Sequence, residues 1–276
     1  MRNMDKYSVL MCVYHKDNPE WFDLAIRSML DQTVKPEEFV IVEDGPITEA
    51  LQRVIEKHCG QNEGLFHIVK LEKNCGLGEA LRVGVENCRN EWIARMDSDD
   101  YSVPDRLEKQ FQAARRHNAD MIGSDVAEFV GEPDKEHVKA LRVFPEKHGD
   151  LVKFGRRRTM FCHPAILMKR SQVLAAGNYQ TAYLHEDFDL FIRMLQDGCI
   201  GYTIKETLVY IRVNEDFYRR RGGLVYLKAL LRFNWRQLRA GWMKLPDFVA
   251  RSGGNIVFCL MPNGMRDFLY RKVLRK

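Results

Sequence analysis

No two cysteines in this 276-residue sequence form a C-x-x-C pair, and their number is odd: Cys12, Cys59, Cys75, Cys88, Cys162, Cys199 and Cys259. Such scatter argues against a disulfide framework or a structural zinc site and fits reduced thiols in a cytoplasmic protein. Long apolar runs are missing too. The longest near the C-terminus, Ile256 to Met261, falls far short of the ~20 residues that span a bilayer. Arg2 is followed by no apolar stretch of signal-peptide length, so no leader is expected. There is no internal repeat, no Gly/Ser-rich linker and no helix-turn-helix or zinc pattern, and a nucleic-acid partner is therefore not expected. What remains is an ordinary globular composition, 45% hydrophobic and 29% charged, in a chain long enough for one large domain or two small ones.

Acidic residues are scarce in one region only. Residues 214–276 hold 14 Lys/Arg against 4 Asp/Glu, a local balance of +10, whereas the preceding 213 residues carry −5 (29 against 34). That asymmetry suggests an anionic partner: a nucleic acid, an anionic membrane or a phosphorylated substrate. The same stretch has helical periodicity, with Leu224, Leu227, Leu230, Leu231, Trp235 and Leu238 apolar and Lys228, Arg232, Arg236 and Arg239 between them. Helices of this kind lie in membrane interfaces, drawn by anionic lipid. Packing on the preceding domain, with solvated cations, is the alternative.

Upstream, the pattern is α/β. Apolar runs at 7–13, 39–42, 66–69 and 92–96 predict buried strands, and helical spacing from Pro19, over Thr48–His58 and over about 77–87 fills the intervals. The order predicts a mostly parallel sheet flanked by helices. Further on, the sequence predicts a helix over Pro104–His117, strand over Ala119–Phe129 and a loop over Gly131–Lys139. Short helices follow at Lys147–Phe154 and Arg170–Ala176, with strand-like Ala165–Met168 between them. A helix after His185 and a last strand over Tyr202–Val213 complete the reading.

Ligands of such sheets bind beyond the carboxyl ends of the strands. Four polar segments fall there: Tyr14–Asn18, Glu43-Asp44-Gly45, Asn74-Cys75-Gly76 and Asp97-Ser98-Asp99-Asp100. The last puts three carboxylates in four residues. If the strand continues, Asp97 and Asp99 share a face, and their repulsion calls for a cation; hard oxygen ligands suit Mg²⁺ or Mn²⁺. A solvated acidic turn capping the next helix is the alternative. Asp44 is placed to accept from a base N–H or a ribose hydroxyl, though Asp-Gly also makes a plain turn. Asn74-x-Gly76-x-Gly78 opens a helix whose free N–H groups favour a phosphate, although the spacing is not the dinucleotide fingerprint. Glu186-Asp187 supplies a carboxylate for general-base work if the fold returns it to the same cleft; otherwise it suits the start of a helix. His163 and His185 are weaker candidates for acceptor contact.

In order and spacing these pieces resemble inverting, nucleotide-sugar-dependent glycosyltransferases of family 2, with the A-type glycosyltransferase fold. The resemblance is carried by Val9–Tyr14, Glu43-Asp44-Gly45, Asn74-x-Gly76-x-Gly78-x-Ala80, Met96–Asp100 with Pro104-x-Arg106-Leu107, His163-Pro164 and Glu186–Leu190 with Arg193. It covers roughly residues 6–213. It implies that Asp44, Val13 and Tyr14 line the nucleotide pocket and that Asn74, Gly76 and Gly78 help hold the donor. Asp99 would hold a divalent ion on the diphosphate, Asp97 would contact the ribose or that ion, and Asp187 would be the catalytic base. The tail, through Phe217–Gly223 and Met261–Arg266, resembles those of capsule, exopolysaccharide and lipopolysaccharide glycosyltransferases. That implies a catalytic domain over 1–213, with a nucleotide-sugar half (1–100) and an acceptor half (101–213), and a basic helical extension over 214–276. It also implies an acceptor saccharide on a polyprenyl diphosphate and a peripheral place on the cytoplasmic face of the plasma membrane. Arg219 or its neighbours would add positive charge at the leaving diphosphate. Pro46 and Gly84 depart from the family's usual residues. A noncatalytic sugar- or nucleotide-binding protein and a nucleotidyltransferase are the rival readings. The first need not keep both Asp99 and Asp187, and the second calls for a Gly-rich basic loop after the first strand, where Tyr14–Asn18 stands.

Overall fold

The computed structural model describes residues 6–180, 185–213 and 223–261. Its first half alternates strands β1 (Tyr7–Val13), β2 (Glu38–Glu43), β3 (Phe66–Lys70) and β4 (Trp92–Arg95) with helices α1 (Pro19–Leu30), α2 (Glu49–Gln61) and α3 (Leu77–Asn87). These strands pair in parallel in the order β3-β2-β1-β4, which sets all four carboxyl ends along one edge. β2 is buried along its whole length and β1 nearly so, as expected of parallel strands covered on both faces. Asn18 begins α1 by accepting from the N–H groups of Glu20 and Trp21, with Pro19 next in line, and Thr48 caps α2 through Leu51.

The second half adds β5 (Tyr101–Ser102), β6 (Met121–Phe129), β7 (Val138–Arg142), β8 (Leu167–Lys169) and β9 (Gly201–Arg212). With them come helices α4 (Arg106–His117), α5 (His148–Gly155), α6 (Arg170–Ala175) and α7 (Glu186–Gln196). The sheet continues β4-β8-β6-β9-β5, with β7 on β6. Here the pairing is mixed: β8 is antiparallel to β4 and β6, β5 to β9 and β7 to β6, while β6 and β9 run parallel. Parallel character thus belongs to the first four strands and one later pair. The stretch read as a loop through Lys139 ends in β7, and α4 begins at Arg106 instead of Pro104, after a turn at Pro104-Asp105 in which Arg106 N–H donates to the Val103 carbonyl at 3.2 Å. Two apolar clusters sandwich the sheet, one including Val9, Met11, Phe22 and Phe39, the other Leu10, Val40, Leu81 and Phe191.

Two helices follow, α8 (Leu224–Arg239) and α9 (Leu245–Leu260). They dock on the sheet domain through polar ties. Arg236 and Gln237 donate to Asp189 on α7, Trp242 Nε1 donates to the Gly155 carbonyl at 2.9 Å, and Arg157 pairs with Asp247 at 2.7 Å. Asn234 joins α8 to Ser252 of α9 at 3.1 Å. Among the described residues no helix is long and apolar enough to cross a membrane.

Candidate active site

The acidic turn after β4 is held from below by a buried arginine. Arg106, fully buried, donates to the carbonyls of Arg95 (3.0 Å) and Ile166 (3.3 Å) and to Gln110 Oε1 (3.0 Å). Gln110 in turn donates to the carbonyls of Ile122 and Ala165, both at 2.9 Å. These side-chain donors tie together carbonyls of the strands and loops beneath the turn; the Ile166 carbonyl also accepts from Arg95 N–H at 3.1 Å. The Pro-x-Arg-Leu piece of the sequence therefore works as a clasp beneath the turn. Burial pushes the Arg106 guanidinium down to about 10, which leaves it charged at neutral pH.

Above the clasp, Asp97 pairs with buried Arg95, and the backbone N–H of Arg212, the last residue of β9, donates to Asp100 Oδ1 at 2.8 Å. Arg212 Nε also donates to the Asp99 carbonyl at 3.0 Å, and its guanidinium lies 4.5 Å from the ring centres of both Trp21 and Phe129. The strand stops at Arg95, so Asp97 and Asp99 do not share a strand face. A turn brings them together instead, and one carboxylate oxygen each from Asp97, Asp99 and Asp100 lie within 4.8 Å of one another. Burial, then the charges of Asp97 and Asp17, raise Asp99 to about 7; burial with Asp99 and Asp97 raises Asp100 well above the usual carboxylate range. Asp100 Oδ2 is sealed and accepts no hydrogen bond among the described residues. An all-oxygen corner with a surplus of acceptors and negative charge fits a hard divalent ion such as Mg²⁺ or Mn²⁺.

Asp97 and Asp99 form the shared wall of two cavities. The first, about 450 Å³, is bounded by the carboxyl ends of β1 and β2 and the start of α3; Val13, Tyr14, Asp44, Asn74 and Gly76 line it, with Asp17. Asp44 accepts from the N–H groups of Cys75 (2.6 Å) and Gly76 (3.0 Å), and Asn74 donates to the Asp44 carbonyl at 3.3 Å. The carboxylate thus fastens the turn that leads into α3, whose first N–H groups it does not use, and each oxygen retains a further acceptor position for a ligand. Gly45 makes the approach possible: at φ +80° a Cβ there would lie 2.5 Å from Asn74 N, so only glycine fits. Gly78, expected at the donor, does not line this cavity. A Cβ there would lie 3.4 Å from Glu186 Cβ, an ordinary contact. Ser98 donates to Asp17 Oδ2 at 2.9 Å, and burial raises Asp17 to about 6.

The second cavity, about 590 Å³, lies on the other side of the acidic turn and contains Asp187 together with His163, His185, Arg142 and Arg212. Asp187 stands in the first turn of α7, where its Oδ1 accepts the Phe188 N–H at 2.7 Å. Burial raises it above the usual carboxylate range, against the opposing pull of Arg95 and Arg142. His163 is fully committed to the interior: its Nε2 lies 2.7 Å from the Tyr179 hydroxyl, and burial pushes it well below its ordinary value, so it is neutral at physiological pH. Arg251 of α9 and Tyr226 of α8 complete the wall.

Sequence reasoning located Asp97, Asp99, Asp187, Asp44, Val13, Tyr14, Asn74 and Gly76, and the fold gathers them around one acidic turn. Arg219 falls outside the described residues. Asp100 was read as part of the acidic cluster, whereas Arg95, Asp17, Arg212 and Arg251 were not singled out. Arg95 and Asp17 sat inside recognised segments, whereas Arg251 was one cation among many in the tail.

The sequence profile of glycosyl transferase family 2 matches residues 8–174. An Escherichia coli protein named UDP-Gal:alpha-D-GlcNAc-diphosphoundecaprenol beta-1,3-galactosyltransferase is 32% identical over 98% of this chain and 97% of its own length. The amylovoran biosynthesis glycosyltransferase AmsE of Erwinia amylovora is 33% identical over 96% of this chain and 98% of its own. Among solved structures, residues 1–349 of Staphylococcus aureus TarS in complex with UDP-GlcNAc superpose with a TM-score of 0.64 at 15% identity, covering 96% of this chain and 72% of that one. The mannosyltransferase PcManGT from Pyrobaculum calidifontis, in complex with GDP-Man and Mn²⁺, gives 0.63 at 14% identity, over 94% of this chain and 71% of that one. These two share the fold. The chain belongs to glycosyl transferase family 2: it is a nucleotide-sugar-dependent glycosyltransferase with the A-type fold.

Proposed function

We propose that this enzyme transfers a sugar, with inversion, from a nucleoside-diphosphate sugar to a hydroxyl of a saccharide carried on a polyprenyl diphosphate, in the assembly of a cell-surface polysaccharide. The observation that carries this reading is the pair of cavities meeting at Asp97 and Asp99, one with a nucleotide-sized wall of Val13, Tyr14, Asp44 and Asn74, the other holding Asp187. The diphosphoundecaprenol in the name of the E. coli relative supplies the acceptor class. In this scheme Asp44 orients the base or ribose, and Asp97, Asp99 and Asp100 would hold a divalent ion. When bound, that ion neutralises charge developing on the leaving diphosphate. Asp187 takes the proton of the attacking hydroxyl, with Phe188 N–H steadying Oδ1 and leaving Oδ2 as the base. One base and one displacement invert the anomeric centre, so an α-linked donor gives a β-linked product. Release of free nucleoside diphosphate from a panel of nucleotide sugars, strictly dependent on a saccharide-diphosphate-lipid acceptor, is the expected result. Donor binding without acceptor-dependent release would favour a noncatalytic sugar-binding protein.

The extension after Val213 is assigned a place at the membrane surface on the cytoplasmic side. Leu245, Val249, Ile256 and Leu260 are exposed along one side of α9, with Leu224, Val225 and Trp235 exposed on α8, and Lys228, Arg232, Arg239 and Lys244 stand exposed on the same two helices. Apolar side chains flanked by cations suit an anionic lipid interface. Flotation with vesicles containing phosphatidylglycerol is expected to carry the full chain upward. A variant with Leu245→Gln, Val249→Gln and Ile256→Gln should stay with the soluble fraction, and equal flotation of both would refute the assignment.

A further inference from the structure

We propose that Arg251 on α9, with Tyr226 on α8, forms the subsite that grips the diphosphate of the acceptor; the proposal rests on the lipid-diphosphate reading above. Both residues lie beyond the segment matched by the family profile, yet both line the cavity that holds Asp187. Arg251 is a half-buried cation with no ion-pair partner among the described residues. Its Nη1 is sealed from solvent with no hydrogen-bond partner, and no carboxylate among the described residues pairs with it. Its guanidinium lies instead 4.7 Å from the ring centre of Phe188 and 5.4 Å from that of Phe233. Ring faces partly compensate a desolvated charge but use none of its forked N–H donors. A guanidinium left in this state costs free energy that an anionic ligand would return. Burial lowers Arg251 only to about 10, so it remains cationic at neutral pH.

The acceptor, and not the donor, fits this cation by position. The cavity on the Asp44 side contains no residue of α8 or α9, whereas the Asp187 side contains one from each. Helix α9 also carries two opposed faces. Leu245, Val249, Ile256 and Leu260 fall on one side, and at 3.6 residues per turn Arg251 lies about 200° round from their centre. A single helix therefore presents an apolar surface outward and a cation inward. An acceptor with a lipid tail, a diphosphate and a terminal saccharide has that same succession of chemistries.

The test is binding of a short-chain alkyl diphosphate, with the matching alkyl alcohol as control, by calorimetry under saturating UDP and Mn²⁺. Wild-type protein is expected to bind the diphosphate and not the alcohol. Arg251→Gln should weaken that binding by about 10–100-fold, the loss expected of a charge-assisted contact, with UDP affinity unchanged; Arg251→Lys should recover part of it. If wild-type protein ignores the alkyl diphosphate, the lipid-diphosphate reading itself falls, and this subsite with it. If wild-type protein binds it and Arg251→Gln binds equally well, the subsite alone is overturned. Loss of UDP affinity in Arg251→Gln would also overturn it, by assigning the cation to the donor.

Discussion

Asp187→Asn should lower turnover by about 10²–10⁴-fold, the range for losing a positioned base, while donor affinity stays close to wild type. The substitution preserves shape and the Phe188 N–H contact to Oδ1, but an amide oxygen cannot take the proton of the attacking hydroxyl. A second signature separates lost chemistry from lost structure. Because burial raises Asp187, the wild-type rate should fall on the acid side at a pH above the usual carboxylate range, as the base becomes protonated. In Asp187→Asn that acid limb should be missing from the residual rate. Full activity in the variant would remove Asp187 from the chemistry.

Asp99→Ala should cost about 10²–10³-fold in turnover, the scale of losing one element of charge stabilisation at a leaving group, and should abolish stabilisation by Mn²⁺. The sign of the pH effect follows from the raised carboxylate. Asp99 moves from 3.8 to about 7 on folding, so between those values the folded protein holds a proton that the unfolded chain has released. Stability of the metal-free protein therefore falls as pH rises through that window. Ligation requires the deprotonated form, so Mn²⁺ should raise the melting temperature more at pH 8 than at pH 5. Without metal at pH 8, Asp99→Ala should melt above wild type, since a carboxylate charged beside Asp97 is gone. A gain from Mn²⁺ that is equal at both pH values and survives the substitution would place the ion elsewhere.

How far the sequence revealed this architecture depended on what each element buries. β1 to β4 announce themselves because strands covered on both faces need continuous apolar residues, and the helices between them show one wet and one dry side. β7 has no such signal: Val138–Arg142 alternates half-buried and exposed residues at the margin of the sheet, and its sequence reads as polar loop. β5 is two residues long and too short for any pattern. The acidic turn and Glu186-Asp187 stood out in the sequence because clustered carboxylates are costly unless answered by a cation or by hydrogen-bond donors. The tie from Asp44 to the turn before α3 had no local sign, because it depends on a contact 31 residues away. Arg251 carried no local mark, because its isolation exists only after α9 folds back over the cavity.

The acidic turn has one further property, set by the order of strands. β4 and β5 follow each other closely in the chain, yet β8, β6 and β9 stand between them in the sheet. Four strand spacings in a flat sheet amount to ~19 Å, close to the full ~20 Å reach of the six steps from Arg95 to Tyr101. A turn within those steps cannot stretch so far, and the sheet must roll until its far border returns toward β4. The four residues Asp97–Asp100 are thus a short cord drawn across the opening of a rolled sheet. Any flexing of that roll, wherever it starts, must change the spacing of the carboxylates strung along it.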